Sequence, residues 1–488
     1  MALVVGIDLG TTGLRSGVFD SEGRLLSFAK CEFPANFSDS CAAEQDAARW
    51  WDACLSTLAQ LGDRVDAKKI RGLAVVGQNP TLVCVDEHGI PTRHAITWAD
   101  RRAAAEATEL GSKTGQMIDP SSVAPKAMWV QRHDPEAYCH TRWLLQSFDY
   151  LILRLTGQPV TVLTIPGFPA WHQGCEVSGL DTSKMPQRTC GIGNMVGELL
   201  TAVARKTGLE AGIPVIAGTV DSFAGWIGTG SIQPGIACND CGTSAGVALC
   251  WDRPLSDPSR GIHCVPHPVG QAWIIGSALS CGSNLLDWFV RAFYPQTDLK
   301  VMLREAEQVA PGCEGLIALP HLLGERASAQ DSWKRAVFFG IGANHRRGHF
   351  ARAVLEAIAF AVHDVCRGIE ALGGHISEVR LAGGGARSTL WNRIKAGVLG
   401  KKIVVPEVVE SPLLGAAMIA ASGVGLFPSL EKAAKGMFHS REEIEPDPAD
   451  QTAYDRLFEL YQELNQNLKP SFAQLARILQ PAQTRVHE

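Results

Sequence analysis

Charge is scarce in this chain. Only 19% of its 488 residues are charged, and the net charge is a mild −5. A basic excess of the kind that neutralises nucleic-acid phosphates is missing, so nucleic acid is not an expected partner. Low-complexity tracts are also missing, and 46% apolar residues exclude a disordered chain. The lightly charged stretch after Ala211 is broken by Pro214, Asp221, Pro234 and several glycines, so no membrane span is expected there. The opening "MALVVGIDLGTTG" lacks a basic leader and a small-residue cleavage site, so no targeting segment is expected. Fourteen cysteines scattered over this length do not form a disulfide framework. They fit a reducing, cytoplasmic setting. A Gly-x-x-x-x-Gly-Lys-(Ser/Thr) phosphate loop is absent, which excludes a Walker-type site.

The length is too great for one ordinary core and implies two or three domains. "LVVGIDLG" reads as a buried strand, and "LRSGVFD" and "LLSFA" continue it as a meander around the turn "SEGR". "EQDAARWWDACLSTLAQLG" has helical spacing through Trp50, Leu55 and Leu58. Strands are expected over 70–77 and 81–89, so the first portion is α/β. Further on, 235–252 reads as strand, turn and strand. The span from 349 to 372 reads as a long helix, 378–382 and 402–406 as strands, and 383–385 as a sharp turn. Gly400 closes one late helix, and Ser411 is expected to cap another that Gly423 ends. The acidic patch from Glu442 to Glu445 is expected to be a solvated face.

Two short stretches echo each other. Asp8-Leu9-Gly10-Thr11-Thr12 precedes an apolar run that ends at Asp20, and Asp240-Cys241-Gly242-Thr243-Ser244 precedes one that ends at Asp252. Each reads as a hairpin corner whose glycine and hydroxyls suit phosphate oxygens. The pair suggests two domains on a similar core with a ligand gripped between the two corners. Arg15 suits phosphate neutralisation, and Asp8 suits Mg²⁺ held through water. Between Ala211 and Asn239, Asp221 is the only charged residue, inside a glycine-rich apolar stretch. A charge placed there is either a satisfied turn residue or a working one. Two other readings compete. Cys238, Cys241, Cys264 and His267 could form a zinc site, although Cys241 lies inside the second corner. Gly383 and Gly385 begin a dinucleotide fingerprint, but Ser388 stands where its third glycine belongs.

The motifs together resemble the FGGY carbohydrate kinases over nearly the whole chain, in order. "GIDLGTTGLRSGVFD" and "DCGTSAG" are similar to the family's two phosphate hairpins. "GQNPTLVCVDEHGIPTRHAITWADRR" is similar to its sugar-side region, and "APKAMWVQRHDPE" and "AVFFGIGANHRRGHFARAVLE" to its signatures. "GIPVIAGTVDSFAGWIGTG" is similar to the catalytic-base segment, and "RLAGGGARSTLWNRIKAGVLGKKIVVPEVVESPLLGAA" to the adenosine segment. The resemblance implies two actin-like (ribonuclease-H-like) α/β domains, 1–232 on the sugar side and 233–488 on the ATP side, with an active-site cleft between them. It implies Asp221 as general base, and Asp8 with Asp221 as holders of Mg²⁺. Gly10, Thr11, Thr12, Arg15, Gly242, Thr243, Gly384, Gly385 and Asn392 would bind ATP. Gln78, Asn79, Trp98, Asp100, Asp221 and Ser222 would bind a small sugar or polyol. Dimers are common among relatives.

Departures from the family bear on the substrate. Xylulokinases usually read Gly-Gln-Met-His where this chain has Gly77-Gln78-Asn79-Pro80, and asparagine where it has Ser222. Trp98-Ala99-Asp100-Arg101 is kept, and "TVLTIPGFPAWHQG" replaces a usual Asp-x-Ser-x-Ala stretch. D-Xylulose is the leading expectation, with ribulose, erythritol or another polyol as alternatives. An actin-like ATPase that acts by binding is the rival from another class. The Asp221 segment and the polar sugar loop speak against it.

Overall fold

The computed structural model describes residues 1–34, 42–164, 177–242, 244–325 and 333–479. The chain divides into two compact units. The first holds Met1–Gly230, Pro268–Gly270 and Glu410–Phe438, and the second holds the remainder. Each unit is built on one mixed sheet with helices packed against it.

In the first unit the strands are β1 (Leu3–Leu9), β2 (Gly13–Asp20), β3 (Leu25–Glu32), β4 (Ile70–Gly77), β5 (Met195–Glu198) and β6 (Pro214–Val220), in the spatial order β5-β6-β4-β1-β2-β3. All seven residues of β1 are buried, as a central strand with Val, Ile and Leu on both faces requires. β1, β4 and β6 run parallel, and Leu9, Gly77 and Val220 are in register at their carboxyl ends. The helices α1 (Ala47–Gly62), α2 (Val123–His133), α3 (Ser147–Thr156) and α4 (Asp221–Gly228) follow in chain order. The α1 helix starts later than its apolar spacing predicts. Residues Glu44–Gln45 form a short strand, and Asp46 caps the helix by accepting the Ala48 N–H at 3.0 Å. The strand expected over 81–89 shrinks to Val83–Val85, because Asp86 folds the chain into a turn by accepting the His88 and Ile90 N–H groups.

The second unit repeats the plan. Its strands are β7 (Ile236–Cys241), β8 (Ala245–Trp251), β9 (His263–Pro266), β10 (Trp273–Ala278), β11 (Glu378–Ala382), β12 (Lys402–Pro406) and β13 (Ser440–Ile444), ordered β9-β10-β8-β7-β11-β12-β13. β7 pairs antiparallel with β8 and parallel with β11, as β1 pairs with β2 and β4. The sequence echo therefore marks equivalent hairpins on equivalent sheets. The long helix α5 (Arg347–Ala371) and the helix α6 (Thr389–Leu399) pack on this sheet, and Gly400 ends α6 in a left-handed conformation. The acidic patch lies on β13, an edge strand, where Glu443 pairs with Lys402 at 3.3 Å. Charge on an edge strand discourages further strand pairing.

Helix α7 (Ser411–Gly423) departs from the expected division at 232/233. It is buried along most of its length and belongs to the first unit, although it lies in the late part of the chain. A helix apolar on every side must be covered on every side. It packs on β1 and β4 and across α4. Ser411 is its first residue rather than its cap: it is fully buried, and Glu410 takes the capping position without a side-chain capping hydrogen bond to the helix. The crossing of α4 and α7 depends on two glycines. A Cβ on Gly228 would lie 1.9 Å from the Ser411 carbonyl oxygen, and one on Gly415 would lie 1.9 Å from that of Ala224. Gly415→Ala is therefore expected to destabilise the protein by about 1–3 kcal/mol. At Gly225 the nearest atom to an added Cβ is Pro412 Cγ at 3.7 Å. Gly225→Ala is expected to be neutral or to stabilise by up to about 1 kcal/mol through helix propensity. Urea midpoints of the two variants test this. Equal midpoints would show that the helices have room to separate.

Candidate active site

In the first unit, parallel pairing sets the site. The in-register ends of β1, β4 and β6 bring the corner at 10–12, the loop at 78–80 and Asp221 to one sheet edge. The Gln78 N–H donates to the Leu9 carbonyl at 2.9 Å and holds two of these segments together. Ligands of open α/β sheets bind outside the carboxyl ends of the strands. Asp8, the penultimate residue of β1, is 3% exposed. Its Oδ2 accepts from Arg15 at 3.1 Å, while its buried Oδ1 has no hydrogen-bond partner among the described residues. Burial raises the Asp8 carboxyl above its usual range, although Arg15 opposes the shift. Gly10 donates to the Gly13 carbonyl at 3.0 Å and closes the corner. Thr12 is exposed and Thr11 half-buried. Asp221 opens α4, half-buried, and its Oδ1 accepts the Ser222 N–H at 2.8 Å. Ser222 is exposed beside it.

A hydrogen-bond network ties the corner to the loops behind it. Trp98 Nε1 donates to Thr11 Oγ1 at 3.0 Å. Gln45 Nε2 donates to the Thr11 carbonyl at 2.7 Å, and Gln78 Nε2 donates to Gln45 Oε1 at 2.9 Å. Gln78 is buried, and its Oε1 has no partner among the described residues. Asn79 donates through Nδ2 to Gln146 Oε1. Asp100 is buried and turned inward: it accepts the Ala43 N–H at 2.7 Å and the Arg102 N–H at 3.0 Å, and it pairs with the Arg102 guanidinium. Lys126, 1% exposed, donates to the Pro80 and Thr97 carbonyls at 2.9 and 2.7 Å. It pins the 78–80 loop to the 97–100 loop. Gln45 and Gln146 lie outside the motifs, and Arg102 and Lys126 lie inside two of them without a role that the motif assigns. Lys126 carries one visible signal, a lysine among apolar neighbours on α2. Of the divergent stretch 161–174, residues 165–174 lie outside the described residues.

The second unit presents a matching edge. The turn after β11 meets the end of β7, where Asp240 pairs with Ala382. Gly383 has φ 79°, and Gly384 is exposed, with no atom of the described residues beyond its chain neighbours within 4 Å of a Cβ added there. A Cβ on Gly385 would lie 2.6 Å from the Trp391 ring and 2.8 Å from Cys241 Cβ, so glycine lets the turn close on the hairpin. Gly242 is half-buried at the corner, and Thr243 lies outside the described residues. Ser388 caps α6 through the Trp391 N–H. Asn392 is fully buried, and its Nδ2 holds the turn through the Ala386 carbonyl at 2.9 Å. Buried Lys395 lies 2.6 Å from Cys241 Sγ. The zinc reading fails: no group of three His, Cys, Asp or Glu side chains able to hold a metal occurs among the described residues. His267 instead bonds the Ser231 carbonyl at 3.1 Å. The described residues include no helix long and apolar enough to cross a membrane.

Comparison with known proteins agrees with this arrangement. Residues 3–228 match the N-terminal domain of the FGGY family of carbohydrate kinases, and residues 237–424 match its C-terminal domain. The chain is 30% identical to the xylulose kinase of Bacillus subtilis (strain 168), over 96% of this chain and 98% of that protein. It is 29% identical to the xylulose kinase of Escherichia coli (strain K12), over 96% and 100%. The crystal structure of xylulose kinase from Rhodospirillum rubrum superposes with a TM-score of 0.82 at 26% identity, covering 96% of this chain and 100% of that one.

Lys126 yields a test. Burial pulls its ammonium down from 10.5 to about 7. Between those values the unfolded chain binds a proton that the native protein does not, so this residue makes stability rise with pH from about 7 towards 10.5. Lys126→Met removes that contribution. The difference in unfolding free energy, wild type minus variant, is expected to climb from pH 7 to pH 10. A difference that stays flat would place the titration elsewhere.

Proposed function

We propose, since the chain belongs to the FGGY family of carbohydrate kinases, that it transfers the γ-phosphate of ATP to a hydroxyl of a ketopentose, D-xylulose. Its fold is the actin-like two-domain α/β fold of that family, and it is an ATP-dependent carbohydrate kinase. The observation that carries the substrate is the full-length match to the xylulose kinases of B. subtilis and E. coli. The setting this reading implies is a cytoplasmic enzyme, and the assembly is a homodimer.

Asp221 is the base in this reading. Its carboxylate orients the attacking hydroxyl and takes its proton as the bond to phosphorus forms. Three features support that role: it opens a helix, it is half-buried, and it stands on the same sheet edge as Thr11 and Thr12. Thr11, Thr12, Arg15 and the Gly10 backbone face the transferring phosphoryl group. Phosphoryl transfer is mostly positioning and charge stabilisation, which suits backbone and hydroxyl donors held by a rigid corner. Asp8 and Asp221 are the residues that would hold Mg²⁺, and the buried Asp8 Oδ1, without a partner among the described residues, fits a cation reached through water. When bound, Mg²⁺ offsets the negative charge of the phosphate oxygens. Gln78, Asn79, Trp98 and Ser222 line the sugar side, with Asp100 as the inward clamp that shapes it. Gly242 and Thr243 take the ATP phosphates. Gly384 and Gly385 form the adenosine turn, which Asn392 supports from beneath.

Asp221→Asn is expected to lower kcat by about 10²- to 10⁴-fold while leaving the KM for sugar within a few-fold. ADP release with Mg-ATP against D-xylulose, D-ribulose and erythritol measures this and names the substrate. Full activity of the variant would remove Asp221 as base, and turnover with another acceptor alone would remove D-xylulose. Asp8→Asn is expected to raise the Mg²⁺ concentration needed for half-maximal rate, read from the same assay by Mg²⁺ titration.

A further inference from the structure

Behind the sugar-side loop lies a chain of amides that ends on a buried acid. Asn79 donates through Nδ2 to Gln146 Oε1. Gln146 donates through Nε2 to Asp149 Oδ2 at 3.4 Å, and Asp149 Oδ1 accepts the Val162 N–H at 3.1 Å. Gln146 is 7% exposed and Asp149 1%. The start of α3 also grips the loop backbone, because Ser147 Oγ donates to the Gln78 carbonyl at 2.6 Å. We infer that Asn79, Gln146 and Asp149 form a polarity relay, in which the proton on Asp149 decides whether Asn79 offers the sugar an acceptor or a donor. This deepens the proposed function and rests on its placement of Asn79 beside the sugar.

The argument is one of hydrogen-bond polarity. A carboxylate only accepts, and an amide has one accepting and one donating end, so each amide passes its orientation to the next. With Asp149 ionised, the Gln146 NH₂ must face it. The Gln146 carbonyl then takes the Asn79 NH₂, and Asn79 Oδ1 is left as an acceptor. With Asp149 protonated, its O–H donates to the Gln146 carbonyl, both amides turn over, and Asn79 presents NH₂. A single solvent proton makes the difference. The ionised arrangement is the one the structure holds. Gln78 Oε1, on the residue before Asn79, is likewise an acceptor without a partner among the described residues, and hydroxyl donors of a sugar suit both oxygens.

Burial lifts the Asp149 carboxyl to about 7, against the hydrogen bonds from Val162 and Gln146. On its own helix, Arg154 bonds Tyr150 at 3.1 Å. β6 and the strand Thr161–Leu163 carry no titratable side chain. On the other elements packed against α3, Arg49, Asp52, Arg71 and Glu198 are exposed, and burial pushes the Cys54 thiol up to about 12. No charged side chain among the described residues contributes to the Asp149 shift.

The full-length enzyme tests the relay by kinetics with D-xylulose and Mg-ATP from pH 6 to pH 8. The KM for sugar is expected to rise about tenfold on acidification, the size of one lost buried hydrogen bond, with a midpoint near 7 and the KM for ATP unmoved. Asp149→Asn should flatten that profile to within about twofold. Gln146→Met should do the same, and it carries the test if Asp149→Asn does not fold. A profile that survives both substitutions, or one seen in kcat alone, overturns the relay. A second readout needs no substrate: the ¹⁵N side-chain amide signal lost in Asn79→Ser should move between pH 6 and pH 8 in wild type and stay fixed in Asp149→Asn. A wild-type signal that does not move overturns the relay. A signal that moves in a protein inactive on D-xylulose supports the relay and overturns the substrate.

Discussion

Parallel strand pairing is the constraint on which the rest depends. In the first unit, the ladders that join β1 to β4 and β4 to β6 put Leu9, Gly77 and Val220 in one row. Backbone hydrogen bonds set that row, so the three segments that leave it must emerge together. One is a Gly-Thr corner, one is a polar loop, and one begins with a carboxylate at a helix N-terminus. The second unit uses the same ladder plan, and the corner after β7 meets the glycine turn after β11. A carboxylate deep in the chain thereby stands on the same sheet edge as a threonine near its start.

The loops on the edges of the two sheets are held in part by ionisable groups taken out of water. Asp8, Lys126, Asp149 and Lys395 are each at most 3% exposed. Burial of an ionisable group costs several kcal/mol unless partners offset it or its pKa moves. Each of the four has a definite neighbour. Asp8 has Arg15, and Lys126 has two loop carbonyls. Asp149 has an amide and a backbone N–H, and Lys395 has the Cys241 sulfur and the Trp391 ring. Helix α7 supports the first unit by a different means. It is apolar on every side, and two glycines let it touch α4 closely, so the helix that starts with Asp221 rests on a packed surface.

Much of this was legible from residue order. The two corners, the long helix α5 and the turn at Gly383 lie where apolar periodicity and glycine place them. Five residues at each corner mark the two as equivalents, and the ladders of the two sheets agree. The late start of α1 and the shortened strand at 83–85 were not legible, because each turns on a single Asp side chain that captures nearby N–H groups. Ser411 looked like a helix cap in sequence and is instead a fully buried first residue. Of the residues that hold the loops, Gln45 and Gln146 lie outside the motifs, and Arg102 and Lys126 lie inside two of them without a role that the motif assigns. Their partners lie tens of residues away, and no local pattern records such a pairing.

The chain by itself determined the type and order of the elements expected over 3–77 and 235–423, and the family to which it belongs. Those follow from short-range facts: which residues are apolar, which are β-branched, and where glycine permits a corner. Tertiary structure alone decided which buried oxygen has no partner among the described residues, which lysine joins two loops, and that residues 410–438 pack with the first unit. Each of these depends on desolvation, and a group is desolvated only by residues that the fold brings to it from elsewhere in the chain.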